Sequence, residues 1–114
     1  LMASLTTGGV TTTGTINTQD GTTLFEAGAS RSITLGASSV NQALTATCRF
    51  VSLIATGGTH CHFQIGVGAQ TATASSHYLL TGERLFLAVP FDANIAAIRG
   101  TGGSTTLYIT ELTQ

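Results

Sequence analysis

The groups best able to do chemistry in this chain gather in one tripeptide, His60-Cys61-His62, with a third histidine at His77 and a second cysteine at Cys48. On an extended strand, residues two apart project from the same face. His60 and His62 would then stand side by side, a spacing that can grip one divalent metal if His77 arrives from a neighbouring strand as a third ligand. A complete site needs more, and the acids Asp20, Glu26, Glu83, Asp92 and Glu111 stand at no telling spacing from the pair. The expectation is therefore no metal, with His60 and His62 as polar side chains on an outer face or an interface. A hydrolase would need a nucleophile, a base and an orienting group. No serine sits in a strained Gly-x-Ser-x-Gly elbow, and no glycine loop opens a helix to bind phosphate. The chain reads as a non-enzyme without a cofactor.

The thiols can be judged from the strand that would carry each. If Gly57-Gly58 makes a two-residue hairpin with Thr56 opposite Thr59, then Cys61 faces Ile54 and Cys48 faces Val67. At about 3.3 Å per residue the two sulfurs would lie roughly 20 Å apart, too far for a disulfide. Both are expected to be buried and reduced.

The elements that must position these residues read as strands and turns. Ile33 and Leu35 alternate. Residues 45 to 55, TATCRFVSLIA, form a long strand with Ala46, Cys48 and Phe50 on one face and Val51 and Leu53 on the other, so this strand is central or carries a bulge near Phe50. HCHFQIGVG would return from the Gly57-Gly58 turn with Cys61, Phe63, Ile65 and Val67 on one face. After a polar stretch, AQTATASSH, a turn at Thr81-Gly82 leads into a strand with Leu85, Leu87 and Val89 aligned, ended by Pro90. ANIAAIRG, the turn TGGST and TLYITEL make a last hairpin. Thr-Gly-Gly at 7 to 9, 56 to 58 and 101 to 103 has unmatched flanks, so it is recurring turn chemistry and not a repeat.

Six to eight short strands at this spacing, in a chain with 22 Thr, 9 Ser and 14 Gly, predict an all-β domain: a small β-sandwich or jelly-roll-like fold over residues 29–114. Its core is expected to draw on Ile33, Leu35, Phe50, Phe63, Ile65, Leu85, Leu87, Val89, Ile98, Leu107 and Ile109. Residues 1–28 read as a Thr/Gly-rich N-terminal arm. Its apolar residues Leu5, Val10, Ile16, Leu24 and Phe25 are too widely spaced for a self-sufficient strand pair and too many for a segment meant for water. They are therefore expected to contact a partner, by strand addition or packing.

At 114 residues the chain is expected to be one domain, able to bury roughly 65% of its unfolded surface without staples. A net charge of −1 with no basic run argues against a nucleic-acid partner. No apolar run approaches the roughly 18 residues of a membrane helix, no charged-then-apolar leader opens the sequence, and no membrane partner is expected. All four cations are arginines, Arg31, Arg49, Arg84 and Arg99. Sheet edges are commonly guarded by lysine, so its absence suggests edges or faces covered by other copies of the chain.

The last third carries a resemblance. Leu80-Thr81-Gly82-Glu83 stands before an apolar strand ending at Val89-Pro90, followed by Ile95-Ala96-Ala97-Ile98-Arg99 and a Gly-rich turn into Thr106-Leu107-Tyr108-Ile109-Thr110. In these features residues 77 to 112 resemble the C-terminal part of small head decoration, or cement, proteins of tailed bacteriophages. The resemblance implies a β-sandwich that binds the outer capsid surface and clamps neighbouring capsid subunits. Its partners would be the major capsid protein and other copies of itself, as a trimer or a dimer. It would reside on the capsid exterior of the virion, and in the host cytoplasm during assembly. His60 and His62 stand where such proteins would be expected to carry aromatic or β-branched residues, which marks that surface, with the arm, as a candidate contact. Two alternatives share the architecture: a tail, neck or fibre-associated virion protein, and a carbohydrate-binding module. The second would want exposed aromatics, and the chain has no Trp and only Tyr78 and Tyr108 as tyrosines.

Overall fold

Eight strands and no helix make up residues 25–113, the part of the chain that the computed structural model describes. They are β1 (Glu26–Leu35), β2 (Val40–Ala43), β3 (Phe50–Gly57), β4 (His60–Val67), β5 (His77–Leu80), β6 (Arg84–Ala88), β7 (Ala93–Arg99) and β8 (Thr105–Thr113). β1 takes in Glu26, Ala27 and Gly28, which the sequence reading assigned to the arm. Leu5, Val10, Ile16 and Leu24 lie outside the described residues.

The strands form two antiparallel four-stranded sheets, β1-β8-β3-β6 and β2-β7-β4-β5. The pairs β1·β8, β2·β7, β3·β6 and β4·β5 are nested, the second half of the chain retracing the first. Such a chain is one long antiparallel hairpin, rolled so that β3 also meets β8 and β4 also meets β7. This is an eight-stranded jelly roll, and the expected all-β sandwich is what the chain forms.

The rolling corrects the local connectivity. Gly57-Gly58 does not close a hairpin, because both sides of β3 are already taken by β8 and β6. The chain instead crosses to the other sheet at that corner. Gly57 has φ of 86°, and a side chain there would run into the Ser104 carbonyl, which also accepts a bond from the Gly58 N–H at 2.9 Å. The Thr81-Gly82 and TGGST turns are corners of the same kind, joining strands in different sheets. Only β4 and β5 are both consecutive and paired, and a nine-residue stretch, 68 to 76, joins them.

The core lies between the sheets. Val51, Leu53 and Ala55 of β3, Leu107 and Ile109 of β8, and Ile33 and Leu35 of β1 face Cys61 and Phe63 of β4, Leu79 of β5, and Ala93, Ile95 and Ala97 of β7. Ile33, Leu35, Phe63, Val89, Leu107 and Ile109 are buried as expected, whereas Ile65, Leu85 and Leu87 are only partly buried against this cluster. Phe50 and Ile98 were expected inside but sit on outer faces, half-buried, on the same side of their strands as Ser52 and Ala96. The cause for Phe50 is a change of face between Cys48 and Val51, both of which are inside. The residues of the 45 to 55 stretch before Phe50 are not strand but the turn leading into it. Replacing a side chain as enclosed as Leu53 by Ala costs about 2 to 5 kcal/mol.

The four edge strands are β1, β6, β2 and β5. Three of them are only four or five residues long, and β1 is interrupted by a register shift between Ala27 and Ser30. Short strands and bulges protect edges without lysine, so the missing lysines do not by themselves require partners along the edges.

Candidate functional site

The two histidines of the HCH tripeptide project outward from β4, because Cys61 and Phe63, alternating with them, belong to the core. The register brings Tyr78 of β5 opposite His62 and Leu80 opposite His60. The His60 ring stacks on Tyr78 at 4.6 Å between centroids, and His62 stands edge-on to both at 5.0 and 5.6 Å. Gly100 makes room for this: a side chain there would collide with the His60 ring. Nδ1 of His62 lies 3.2 Å from the Ser76 carbonyl, which can only accept, so Nδ1 is the donor. Nδ1 of His60 lies 3.1 Å from the Thr59 hydroxyl. The result is an exposed aromatic patch with Tyr78 and Leu80 about half open to solvent, at 57% and 49%.

His77 does not join this patch. It pairs with the inward-facing Phe63, whose ring it meets at 5.3 Å, so it leaves β5 on the side opposite Tyr78. Strand parity thus removes the third ligand imagined from sequence, and among the described residues no three His, Cys, Asp or Glu side chains gather in a metal-holding group.

Beside the patch, the 68 to 76 connection lies across the outer face of its own sheet. The Gln70 N–H donates to the Asn41 side chain of β2 at 2.9 Å, and the Ala72 N–H to the Ser39 hydroxyl at 2.8 Å. The Gln70 amide rests over Gly66 of β4. Because β7 lies between β2 and β4, this strap passes over β7. Ala96, an outward residue of β7 registered with Asn41 and Gln64, has no exposed surface.

The other sheet carries a second patch on its own outer face. Phe50, Ala88 and Leu112 form one cross-strand row, Phe86 stands in the next, and Phe25 leans on Phe50 at 5.1 Å between centroids. With Val51 and Leu87 they line an open groove of about 380 Å³, apolar throughout. Phe86 is 63% exposed, and Tyr108 is also exposed on this face. Arg84, two residues before Phe86, donates to the buried Ser52 hydroxyl at 2.7 Å. Of the contact residues expected from sequence, then, Phe25 lines this groove, while His60 and His62 stand on the opposite outer face.

Beneath the groove end of this sheet lies a partly buried ion pair that the sequence reading passed over. Glu111 is inside, 2.9 Å from the Arg31 guanidinium and 2.9 Å from the Thr45 N–H. Burial alone would raise its pKa, but the Thr45 hydrogen bonds and Arg31 outweigh it and hold the carboxyl below its ordinary value. The signal was present: Glu111 follows Leu107 and Ile109 at spacing two, as Arg31 precedes Ile33 and Leu35. The register shift in β1 falls opposite Glu111, where Gly28 approaches the Glu111 carbonyl closely.

Both cysteines are free and buried. Burial pushes the Cys61 thiol up to about 11 and also raises Cys48, which feels the nearby Glu111 charge as well. Thiols held protonated are poor nucleophiles, so these act as small core hydrophobes. The hairpin register used to separate them does not exist, since β3 and β4 lie in different sheets.

Comparison of the chain with protein-family models, curated proteins and solved structures returned no significant match.

Proposed function

We propose that this chain is a structural protein of a bacteriophage virion, one that seats on the outer capsid surface and clamps neighbouring capsid subunits. The observation that carries this reading is the pair of exposed aromatic and apolar patches on opposite outer faces, Phe25, Phe50, Phe86 and Leu112 on one and His60, His62, Tyr78 and Leu80 on the other. A clamp must hold two bodies, and a sandwich with a contact surface on each outer face does so with a rigid core between. Each patch is small, so each contact is modest, and repetition on a lattice supplies strength through effective concentration. The partners are the major capsid protein and other copies of this chain, in a trimer or a dimer. The arm adds contacts through Leu5, Val10 and Ile16. The resemblance of residues 77 to 112 to decoration proteins supports the same reading.

The test is co-sedimentation of the purified chain with phage capsids, with the bound copies counted. The expected result is saturation at a number commensurate with the capsid subunits, and at least tenfold weaker binding for Phe86→Asp, about 1.4 kcal/mol. Saturation at only a few copies per particle would move the protein to the tail, neck or fibre, and no binding at all would overturn the reading. A carbohydrate-binding role is disfavoured because one face of the Tyr78 ring is already covered by His60.

A further inference from the structure

We propose that His60 and His62 form half of a zinc site, which a second copy of the chain completes with the same two residues across a twofold axis, so that the metal pairs the molecules. The expectation of no metal rests on a single chain supplying too few ligands. That remains true of one copy, since among the described residues no third His, Cys, Asp or Glu side chain joins the pair. Structural zinc takes four nitrogen, sulfur or oxygen ligands in a tetrahedron. Two copies supply four imidazoles.

The protons of the pair are already placed as a metal requires. The Thr59 hydroxyl has one hydrogen and gives it to the Thr101 carbonyl at 2.7 Å, so towards His60 Nδ1, 3.1 Å away, it can only accept. His60 Nδ1 is therefore a donor, as His62 Nδ1 is to the Ser76 carbonyl at 3.2 Å. In the neutral rings both Nε2 atoms then hold the lone pair. A hydrogen bond from the far nitrogen to a fixed acceptor is what sets the tautomer and orientation of metal-bound histidines. The spacing agrees: two imidazoles bound to one tetrahedral ion at about 2.0 to 2.1 Å have ring centres roughly 5 Å apart. Those of His60 and His62 are 5.0 Å apart. A Cβ at Gly100 would strike Nε2, Cδ2 and Cε1 of the His60 ring, so glycine there keeps the ligating end of that ring uncrowded. The rim of the pair suits a second copy. Tyr78 and Leu80 beside it are about half exposed, and a twofold contact through the metal covers both on each molecule.

This inference goes beyond the capsid reading and does not depend on it, since its test needs only the purified chain. Full-length untagged protein, stripped of metal by a chelator that is then removed, is titrated with zinc chloride at slightly alkaline pH. Bound zinc is counted by elemental analysis and molecular mass is read by light scattering. Uptake should saturate at one zinc per two chains, the mass should double over that of the metal-free protein, and added chelator should reverse both. His60→Ala and His62→Ala change outward side chains and leave the core intact. Each should weaken zinc uptake about tenfold or more and remove the doubling. His77→Ala, at the third histidine of the chain and on the other side of β5, should do neither. In ¹⁵N spectra zinc should shift the Nε2 resonances of His60 and His62 by far the most. One zinc per chain without a change in mass, no uptake at all, or uptake that survives both histidine variants would each overturn the proposal, as would binding through Nδ1.

Discussion

Across the outer face of β2-β7-β4-β5 the chain lays its own 68 to 76 strap, tied by hydrogen bonds to Ser39 and Asn41 and leaving Ala96 without exposed surface. The outer face of β1-β8-β3-β6 has no such strap among the described residues, and there Phe86 is 63% exposed beside an open apolar groove. The difference follows from the rolling of the chain. Only the β4–β5 connection stays within one sheet, so it alone has the length and position to fold back over that sheet's surface. All other connections among the described strands are spent crossing between sheets. Among the described residues, a jelly roll built this way covers part of one outer surface with its own strap and leaves the other without one.

The contrast predicts that equal substitutions will have unequal effects. Ala96→Leu must force its extra carbons under the strap and should destabilise by about 1 to 3 kcal/mol, whereas Ala88→Leu on the open face should change stability by less than about 0.5 kcal/mol. Thermal unfolding distinguishes them, since about 1 kcal/mol corresponds to roughly 4 to 8 °C in a domain of this size. Equal shifts would mean that the strap does not cover β7 as described.

An effect of similar size concerns the interior beneath the groove. Glu111→Gln removes the charge that Arg31 and the Thr45 N–H satisfy and should cost about 1 to 3 kcal/mol. The Glu111 carboxyl is held below its ordinary value, so the unfolded chain takes up that proton more readily than the folded one. This contribution is complete above the ordinary glutamate range and is lost as pH falls through that range towards the lower folded value. Hydrogen exchange in mild acid should therefore loosen the Glu111 end of β8 and the adjoining part of β1 before the strapped sheet. Simultaneous loosening of both sheets would erase the distinction.

Deleting residues 1 to 24 should leave thermal unfolding nearly unchanged while weakening capsid binding at least tenfold, about 1.4 kcal/mol. Failure of the truncated chain to fold would make the arm an integral part of the sandwich. The smallest expected effect is Thr105→Val. The Thr105 hydroxyl is buried without a hydrogen-bond partner among the described residues, so replacing it by a methyl should stabilise by up to about 1 kcal/mol, read as a raised unfolding temperature.

The candidate surfaces were only partly legible from sequence. His60 and His62 could be placed on an outer face because Cys61, Phe63 and Ile65 alternate with them, and strand parity carries that inference whatever the partner strand is. Phe86 could have been noticed as an aromatic residue opposite Leu85 and Leu87 on its strand. Its meeting with Phe50 and Phe25 could not, because β1, β3 and β6 are brought together only by long-range pairing.

By itself the sequence determined the class of the fold and the outline of its strands. Threonine-rich alternation and glycine punctuation act within a few residues, where side-chain direction and turn geometry are local properties. Only the tertiary structure decided what each turn does. Gly57, Gly82 and Gly102 adopt the positive φ that a hairpin would also need, and each serves instead at a corner between sheets. A glycine sets the backbone at one residue. Which strand lies beside the next is set by burying two faces against each other, and that choice placed the strap over one outer face and left the other without one among the described residues.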